Sequence, residues 1–356
     1  LTLLVKVSFL LYSLSNVLRN TLSHSHILAT LPLSQAGGCM ITITAEELDS
    51  SSAEEIGARV LQEMTAGNLY SDDPMEDTST SKGLKARFKS FKTNFLEFFD
   101  KLLRDSSETD ELFDGADLGT ERSDGKTFRS HSVASTSSLF DGLSDLVALF
   151  SGVRARTIRA AATAAGLQLV SSLVHIAKVK AETRDMKQRQ LDAEERKKRP
   201  NAAILKTLKE ALVLTQARIH SVESMIKGSF NKIFTHRFRD IDPSIRTACM
   251  HAIGHWMSEH PLFFLSDYYL KYLGWSLNDK DPRVRHAVLS ALHELYAASM
   301  ENLALMDTFN ARFISRIREM IHDVDPCAAA EAINTLSVLH EAVVQQYHEI
   351  HLHNLQ

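Results

Sequence analysis

The sequence predicts an all-α protein, a HEAT-like helical-repeat solenoid carrying a protruding antiparallel pair of long helices. Three observations predict it. First, an Asp-x-Asp-Pro motif recurs at Asp240, Asp279 and Asp323, at intervals of 39 and 44 residues (240 to 279 to 323). Each copy leads into small and apolar residues at matched offsets: Ala252 and Ile253, Ala291 and Leu292, Thr335 and Leu336. Repeats of this length mark helical solenoids, in which each unit buries its apolar face only against its neighbours. Second, the chain holds 44% hydrophobic residues but only 14 Gly and 7 Pro in 356 residues, a helical composition. Third, within residues 152–232 apolar positions fall three or four apart through Leu167, Val170, Leu173 and Val174 and again from Ile204 to Phe230, with a polar continuation and a single break at Pro200 between them.

The elements follow in order. Residues 1–33 are rich in Leu and Ser, but Lys6, Ser8, Ser13, Ser15, Asn16 and Arg19 interrupt the apolar run. They fit neither a signal peptide nor a membrane span, and are expected as a buried helix or a mis-translated edge. The chain opens on Leu1 rather than Met, and its last repeat lacks a polar cap, so it reads as a fragment at both ends. A helical region is expected over 34–232. Thr44 and Glu47 form a capping box, and Ile56, Val60, Leu61 and Met64 continue the helical period. An acidic linker over 71–81 precedes a helix over 82–104, whose stripe of Phe88, Phe91, Phe95, Phe98 and Phe99 reads as core. Residues 105–137, rich in Ser, Asp and Gly, read as a flexible loop. Helices resume at Leu139, and the long pair occupies 152–232.

The repeats fill 233–356. Aspartate side chains accept from the orphan N–H groups of a helix's first turn, and proline fits there because it has no N–H to lose. Arg246 and Arg285 stand three positions after their prolines, placed to reach the aspartate of a neighbouring repeat. Ala329 takes that place in the third copy, where such a ladder stops.

Net charge is −4, but it is distributed in blocks. Residues 40–125 hold 9 Lys/Arg against 20 Asp/Glu, residues 151–239 hold 19 against 7, and residues 240–356 hold 8 against 15. The middle block, +12, is the candidate for an anionic partner. Arg154, Arg156 and Arg159 open its first long helix, and Arg196, Lys197, Lys198 and Arg199 lie at the tip of the pair, as either a solvated helix end or an anion-binding tip. Such a block can neutralise phosphates, and no base-reading motif accompanies it.

Nothing predicts an enzyme or a cofactor. Cys39, Cys249 and Cys327 are odd in number and widely spaced, without a disulfide framework or a CxxC zinc site. His251 and His255 have the i, i+4 spacing of a helical zinc pair but lack its Glu and a third ligand. No P-loop, GxGxxG or GxSxG is present. The partner candidate is aromatic. Tyr268, Tyr272 and Trp275 fall on one side of a helix, Leu270, Leu273 and Leu277 on the other, with Asp267, Lys271 and Lys280 flanking. The pattern fits either an outward hot spot for a partner or a tryptophan packed between repeats.

Several segments closely resemble stromal antigen (SA/STAG-type) cohesin subunits. They are HRFRD at 236–240, YLKYLGWSLNDK at 269–280, Val284 with Arg285, and Ala291 to Tyr296. Upstream, FKSFK at 88–92, GLQLV at 166–170 and QLDAE at 190–194 match in the right order, so the resemblance covers roughly 35–345. It implies a non-catalytic HEAT-repeat subunit, nuclear and on chromatin. Such a subunit binds the kleisin of the cohesin ring, and through it the two ATPase coiled-coil subunits indirectly, and contacts DNA; no membrane is implied. It further implies a surface for short Phe-x-Phe-type peptides, with Trp275 and Arg312 in the aromatic and arginine positions and Phe238 where family members carry Tyr. Together with Asp267, Tyr268, Lys271 and Tyr272 from the helical spacing, these make the candidate set for partner binding: Phe238, Asp267, Tyr268, Lys271, Tyr272, Trp275 and Arg312. The resemblance favours the exposed reading of Trp275. Without it, the repeats fit equally a scaffold of a transport or phosphatase pathway.

Overall fold

The computed structural model describes residues 91–113 and 139–353, with a few isolated positions between 36 and 75. The expectations for residues 1–33, the cap at 44–47, the linker at 71–81 and the start of the helix at 82 lie outside the described residues. The described residues are helices and turns, with no strand among them. The chain separates into two compact units, Leu1–Ile233 and Phe234–Gln356.

In the first unit three helices pack around a fourth. α1 is Phe91–Glu108, α2 is Leu139–Ser151, α3 is Arg156–Glu195 and α4 is Ala202–Ser229. α3 touches the other three. Its first half is small and apolar, and Ala161, Ala162, Ala165, Leu169 and Leu173 are fully buried. Short side chains let neighbours approach closely: a Cβ on Gly166 would lie 2.7 Å from Ile233 Cδ1. α1 contributes Phe95, Phe99 and Leu103 to this core, and α2 contributes Val147 and Phe150. α3 is long and apolar enough to cross a membrane, but 72% of its most apolar stretch is buried within the fold. It is therefore a core helix.

The long pair turns at Pro200. α3 ends at Glu195, and Asn201 caps α4 by accepting from the Ala203 and Ile204 amides at 3.0 and 3.4 Å. Lys187 donates to Thr215, and Lys209 pairs with Glu195 at 3.0 Å. These pairs close symmetrically about the turn, so the helices run antiparallel.

Of the loop expected over 105–137, residues 105–113 are instead helix and turn, and 114–137 lie outside the described residues. α1 continues through Glu108, because Ser106 returns its hydroxyl to the Leu102 carbonyl at 2.8 Å and so satisfies itself within the helix. A turn at Glu111–Phe113 then buries Leu112 and Phe113. Asp110, in the left-handed region at φ 64°, accepts from Arg218 of α4 at 2.6 Å.

The second unit is a two-layer repeat array. α5 (Pro243–Glu259), α7 (Pro282–Ala298) and α9 (Pro326–His353) pack side by side in one layer. α6 (Asp267–Ser276) and α8 (Asp307–Glu319) pack on each other in the second. Each helix of the first layer starts at an Asp-Pro pair. Asp242, Asp281 and Asp325 accept from the Ser244, Arg283 and Ala328 amides, each at 2.9 Å, and caps of this kind each contribute about 1 kcal/mol. α5 and α7 touch at Gly254, where a Cβ would lie 2.6 Å from that of Ala291.

The preceding aspartates form the ladder. Arg246 grips Asp279 with two hydrogen bonds, 2.7 and 2.8 Å, and donates to the Asp240 carbonyl at 2.7 Å. Arg285 repeats this one step on, with 2.7 Å to Asp323 and 2.8 Å to the Asp279 carbonyl. Each arginine thus ties its own repeat's loop to the next. At Ala329 no side chain continues the series.

Candidate functional site

The aromatic face is built on α6 and on the turn that leads into α5. From Phe264 to Trp275 the sequence places rings on a helix too short to bury them all. Leu270, Leu273 and Leu277 go to the core, as the pattern predicts. Tyr268 and Trp275 stay open, 39% and 50% exposed. Tyr272 does not. It is buried at 6% exposure, with Phe238 edge-on at 4.8 Å and Phe234 at 5.3 Å. The outward placement expected for Tyr272 is therefore corrected: on a helix it lies some 60° round from Trp275, and there the Phe234–Phe238 pair covers it. Burial raises its phenol's pKa, and nearby Tyr268 adds to the shift.

Phe238 is also buried, at 6% exposure, and acts as the support beneath Trp275, stacked at 6.3 Å with planes 26° apart. Lys271 ties the face together from above. Its Nζ lies 4.4, 5.2 and 5.6 Å from the ring centres of Tyr268, Tyr272 and Trp275, all within cation–π range. Asp267 is exposed at the first position of α6, where a negative charge suits the helix dipole.

Arg312 is exposed on α8, with its guanidinium carbon 5.7 Å from the ring centre of Phe313. That same ring fills the space beside Gly274, leaving no room there for a Cβ. Arg312 is thus carried on the helix that packs next to Trp275, but its ring contact is Phe313.

Between the first two repeat loops lies a cleft of about 630 Å³. Phe238 and Trp275 line it together with Arg239, Asp240, Asp279 and Lys280. The sequence reading did not select Arg239 as a site residue. Its signal was adjacency: a cation directly after Phe238, whose guanidinium carbon sits 4.9 Å from the Phe238 ring centre.

The basic candidates separate into two groups. Arg154 and Arg156 are exposed where α3 begins, and Arg196, Lys197, Lys198 and Arg199 are exposed where it ends. A helix of 40 residues sets the groups roughly 60 Å apart, so they do not form one patch. Arg159 is corrected: it is buried at 6% exposure and donates to the Val153 and Arg154 carbonyls at 3.3 and 2.9 Å, closing the turn before α3. Lys197 is held by the buried carboxylate of Glu194, whose pKa is lowered by that bond and by the Asn201 amide. His251 and His255 are exposed on α5. Among the described residues no group of three His, Cys, Asp or Glu is placed to hold a metal ion. Cys249 is buried, which pushes its thiol's pKa up, and Cys327 is exposed.

Comparison with known proteins addresses the same two regions. Residues 76–211 match the STAG domain family, and residues 239–314 match the Stromalin conservative domain. Sister-chromatid cohesion protein 3 of Arabidopsis thaliana is 35% identical over 307 residues. The chain belongs to the stromal antigen family of cohesin subunits. The Arabidopsis match covers 86% of this chain and 25% of that protein. Cohesin subunit SA-3 of Rattus norvegicus is 33% identical, with 86% and 22% covered. This stromal antigen chain therefore spans about a quarter of the length of these relatives. The solved structure of cohesin subunit Scc3 from Z. rouxii superposes with a TM-score of 0.70 at 22% identity, over 93% of this chain and 34% of that one. That likeness shows the helical-repeat fold.

Proposed function

We propose that this chain is part of a non-catalytic cohesin subunit that binds the kleisin and supports sister-chromatid cohesion on nuclear chromatin. In this reading the Trp275 face takes short Phe-x-Phe-type peptides. Family membership supports the first part, and one observation carries the second. Trp275 is half exposed yet fixed, backed by Phe238 and topped by Lys271. A rigid, amphipathic ring presented this way costs little entropy when a partner covers it, which is how interface hot spots arise. Arg312, on the adjoining helix, supplies the cation. The test is fluorescence anisotropy of a labelled Phe-x-Phe peptide titrated with the subunit bound to its kleisin segment. Trp275→Ala and Arg312→Ala are each expected to weaken binding about 30-fold, the scale of a 2 kcal/mol hot spot, with helicity by circular dichroism unchanged. Binding that survives both changes would sink the assignment.

Sequence-independent DNA is the second partner in this reading. Arg196, Lys198 and Arg199 at the turn of the long pair are exposed and placed to neutralise phosphates. Each neutralised phosphate adds about 0.9 to the slope of log affinity against log salt. Replacing these three by Gln is expected to lower that slope by about 2 to 3 on duplexes of any sequence. An unchanged slope removes the tip from the DNA contact.

A further inference from the structure

In the first unit, the turn after α1 is seated on the long helix pair as a short peptide ligand would be. Its residues 110–113 read Asp-Glu-Leu-Phe. Leu112 and Phe113 are buried. Lys180 of α3 and Arg218 of α4 both lie over the Phe113 ring, with Nζ 5.7 Å and the guanidinium carbon 5.5 Å from its centre, within cation–π range. Lys187, two turns on from Lys180, donates to Thr215 of α4 at 2.8 Å. These three cations line one shelf across α3 and α4.

The turn meets their charge only in part. Among the described residues, the Asp110 carboxylate accepts from Arg218 Nη2 alone, at 2.6 Å, and its side chain is 50% exposed. Asp110 also stands in the left-handed region at φ 64°, a conformation costly for a residue with a Cβ. Arg218 Nε is buried without a hydrogen-bond partner. A guanidinium suited to grip a carboxylate with two parallel bonds therefore makes one. Lys180 touches the Phe113 ring but forms no ion pair with a described residue. Burial, and next the Arg218 charge, lower its pKa. An unfilled fork and an unpaired ammonium beside a seated aromatic ring describe a binding site that its own chain fills incompletely.

We propose that the shelf of Lys180, Lys187 and Arg218 is a docking site for a partner peptide with a carboxylate three residues before a phenylalanine, and that residues 110–113 are a self-ligand that keeps the site closed. The shelf belongs to the first unit and Trp275 to the second, so neither site depends on the other. A partner carboxylate free of the turn's backbone constraint can take Nε and Nη2 of Arg218 together, which Asp110 does not. That difference lets the partner displace the turn.

A labelled peptide carrying Asp-Glu-Leu-Phe between Ser and Gly flanks is titrated into the full chain by fluorescence anisotropy. The double variant Leu112→Ala, Phe113→Ala vacates the shelf. It is expected to bind the peptide about tenfold tighter than the natural chain, the factor by which a site open one part in ten loses apparent affinity. Adding Arg218→Gln to the double variant is expected to remove the gain, and a peptide with Ala in place of its Phe is expected not to show it. Asp110→Asn loosens the turn without touching the core, and is expected to raise affinity about threefold, the scale of a half-exposed ion pair. Circular dichroism checks that each variant keeps its helicity. A folded double variant with no gain overturns the proposal, as does a gain that survives Arg218→Gln or that the Ala peptide shares. If the double variant loses helicity, Asp110→Asn decides, and an unchanged affinity there overturns the proposal.

Discussion

Trp256→Ala is expected to destabilise the second unit by about 3–5 kcal/mol, as truncation of a fully buried tryptophan does. The ring, carried on α5, is 0% exposed and lies 5.9 Å from both Phe234 and Phe264. Its removal leaves a cavity with rigid aromatic walls, which cannot collapse cheaply. Trp275→Ala is the counterpart. That ring is half exposed, so its loss is expected to cost little stability while weakening peptide binding about 30-fold. The chain's two tryptophans both lie in the unit Phe234–Gln356. Urea unfolding followed by the fluorescence of the tryptophan that remains therefore reads the right unit in either variant. A Trp256→Ala midpoint close to that of Trp275→Ala would mean that the core has been misplaced.

That contrast marks the limit of what the sequence discloses. The repeat frame was legible because each of its signals is local. Asp-x-Asp-Pro, an arginine three residues later and a fixed period are all read along the chain, and the ladder then ends where Ala329 replaces the arginine. The leucine side of α6 was legible from its period alone. What period cannot give is which ring a distant residue covers. Tyr268 and Tyr272 are one turn apart and look alike in sequence, yet Phe238, more than thirty residues earlier, buries only the second. Arg159 likewise shares its composition with Arg154 and Arg156, but two preceding carbonyls need its guanidinium. The Ser-rich end of α1 read as loop because serine competes with helix in isolation; here packing buries Ser106 and Ser107 and overrides that preference. Arg239 escaped because a cation next to an aromatic residue means nothing until the cleft beside it is seen.

Arg285→Ala is expected to cost about 3 kcal/mol or more, because it leaves an inward carboxylate without its partner. Asp323 is the group at risk, with its side chain 6% exposed and that of Arg285 12% exposed. The change also strips a donor from the Asp279 and Lys280 carbonyls, which Arg285 holds at 2.8 and 3.2 Å. Arg285→Lys is not expected to rescue it, since a single ammonium cannot reproduce two parallel bonds and a loop anchor together. The pH dependence gives the signature. The hydrogen bonds from Arg285 are the main cause holding the Asp323 carboxyl below its usual pKa, with the Asp325 amide assisting. A carboxylate depressed in the folded state contributes stability that is fully present above its unfolded value, about 3.9, and is lost as pH falls through the folded one. The natural chain is therefore expected to lose stability as the pH drops below about 4, and the gap between it and Arg285→Ala is expected to narrow over the same range. Arg283→Ala is the control: its bond to Asp281 is made by a side chain 64% exposed, and such surface pairs contribute about 0–1 kcal/mol. If urea unfolding at neutral pH gives Arg285→Ala and Arg283→Ala the same stability, the ladder does not hold the repeats together, and their packing rests on the apolar faces of α5, α7 and α9 alone.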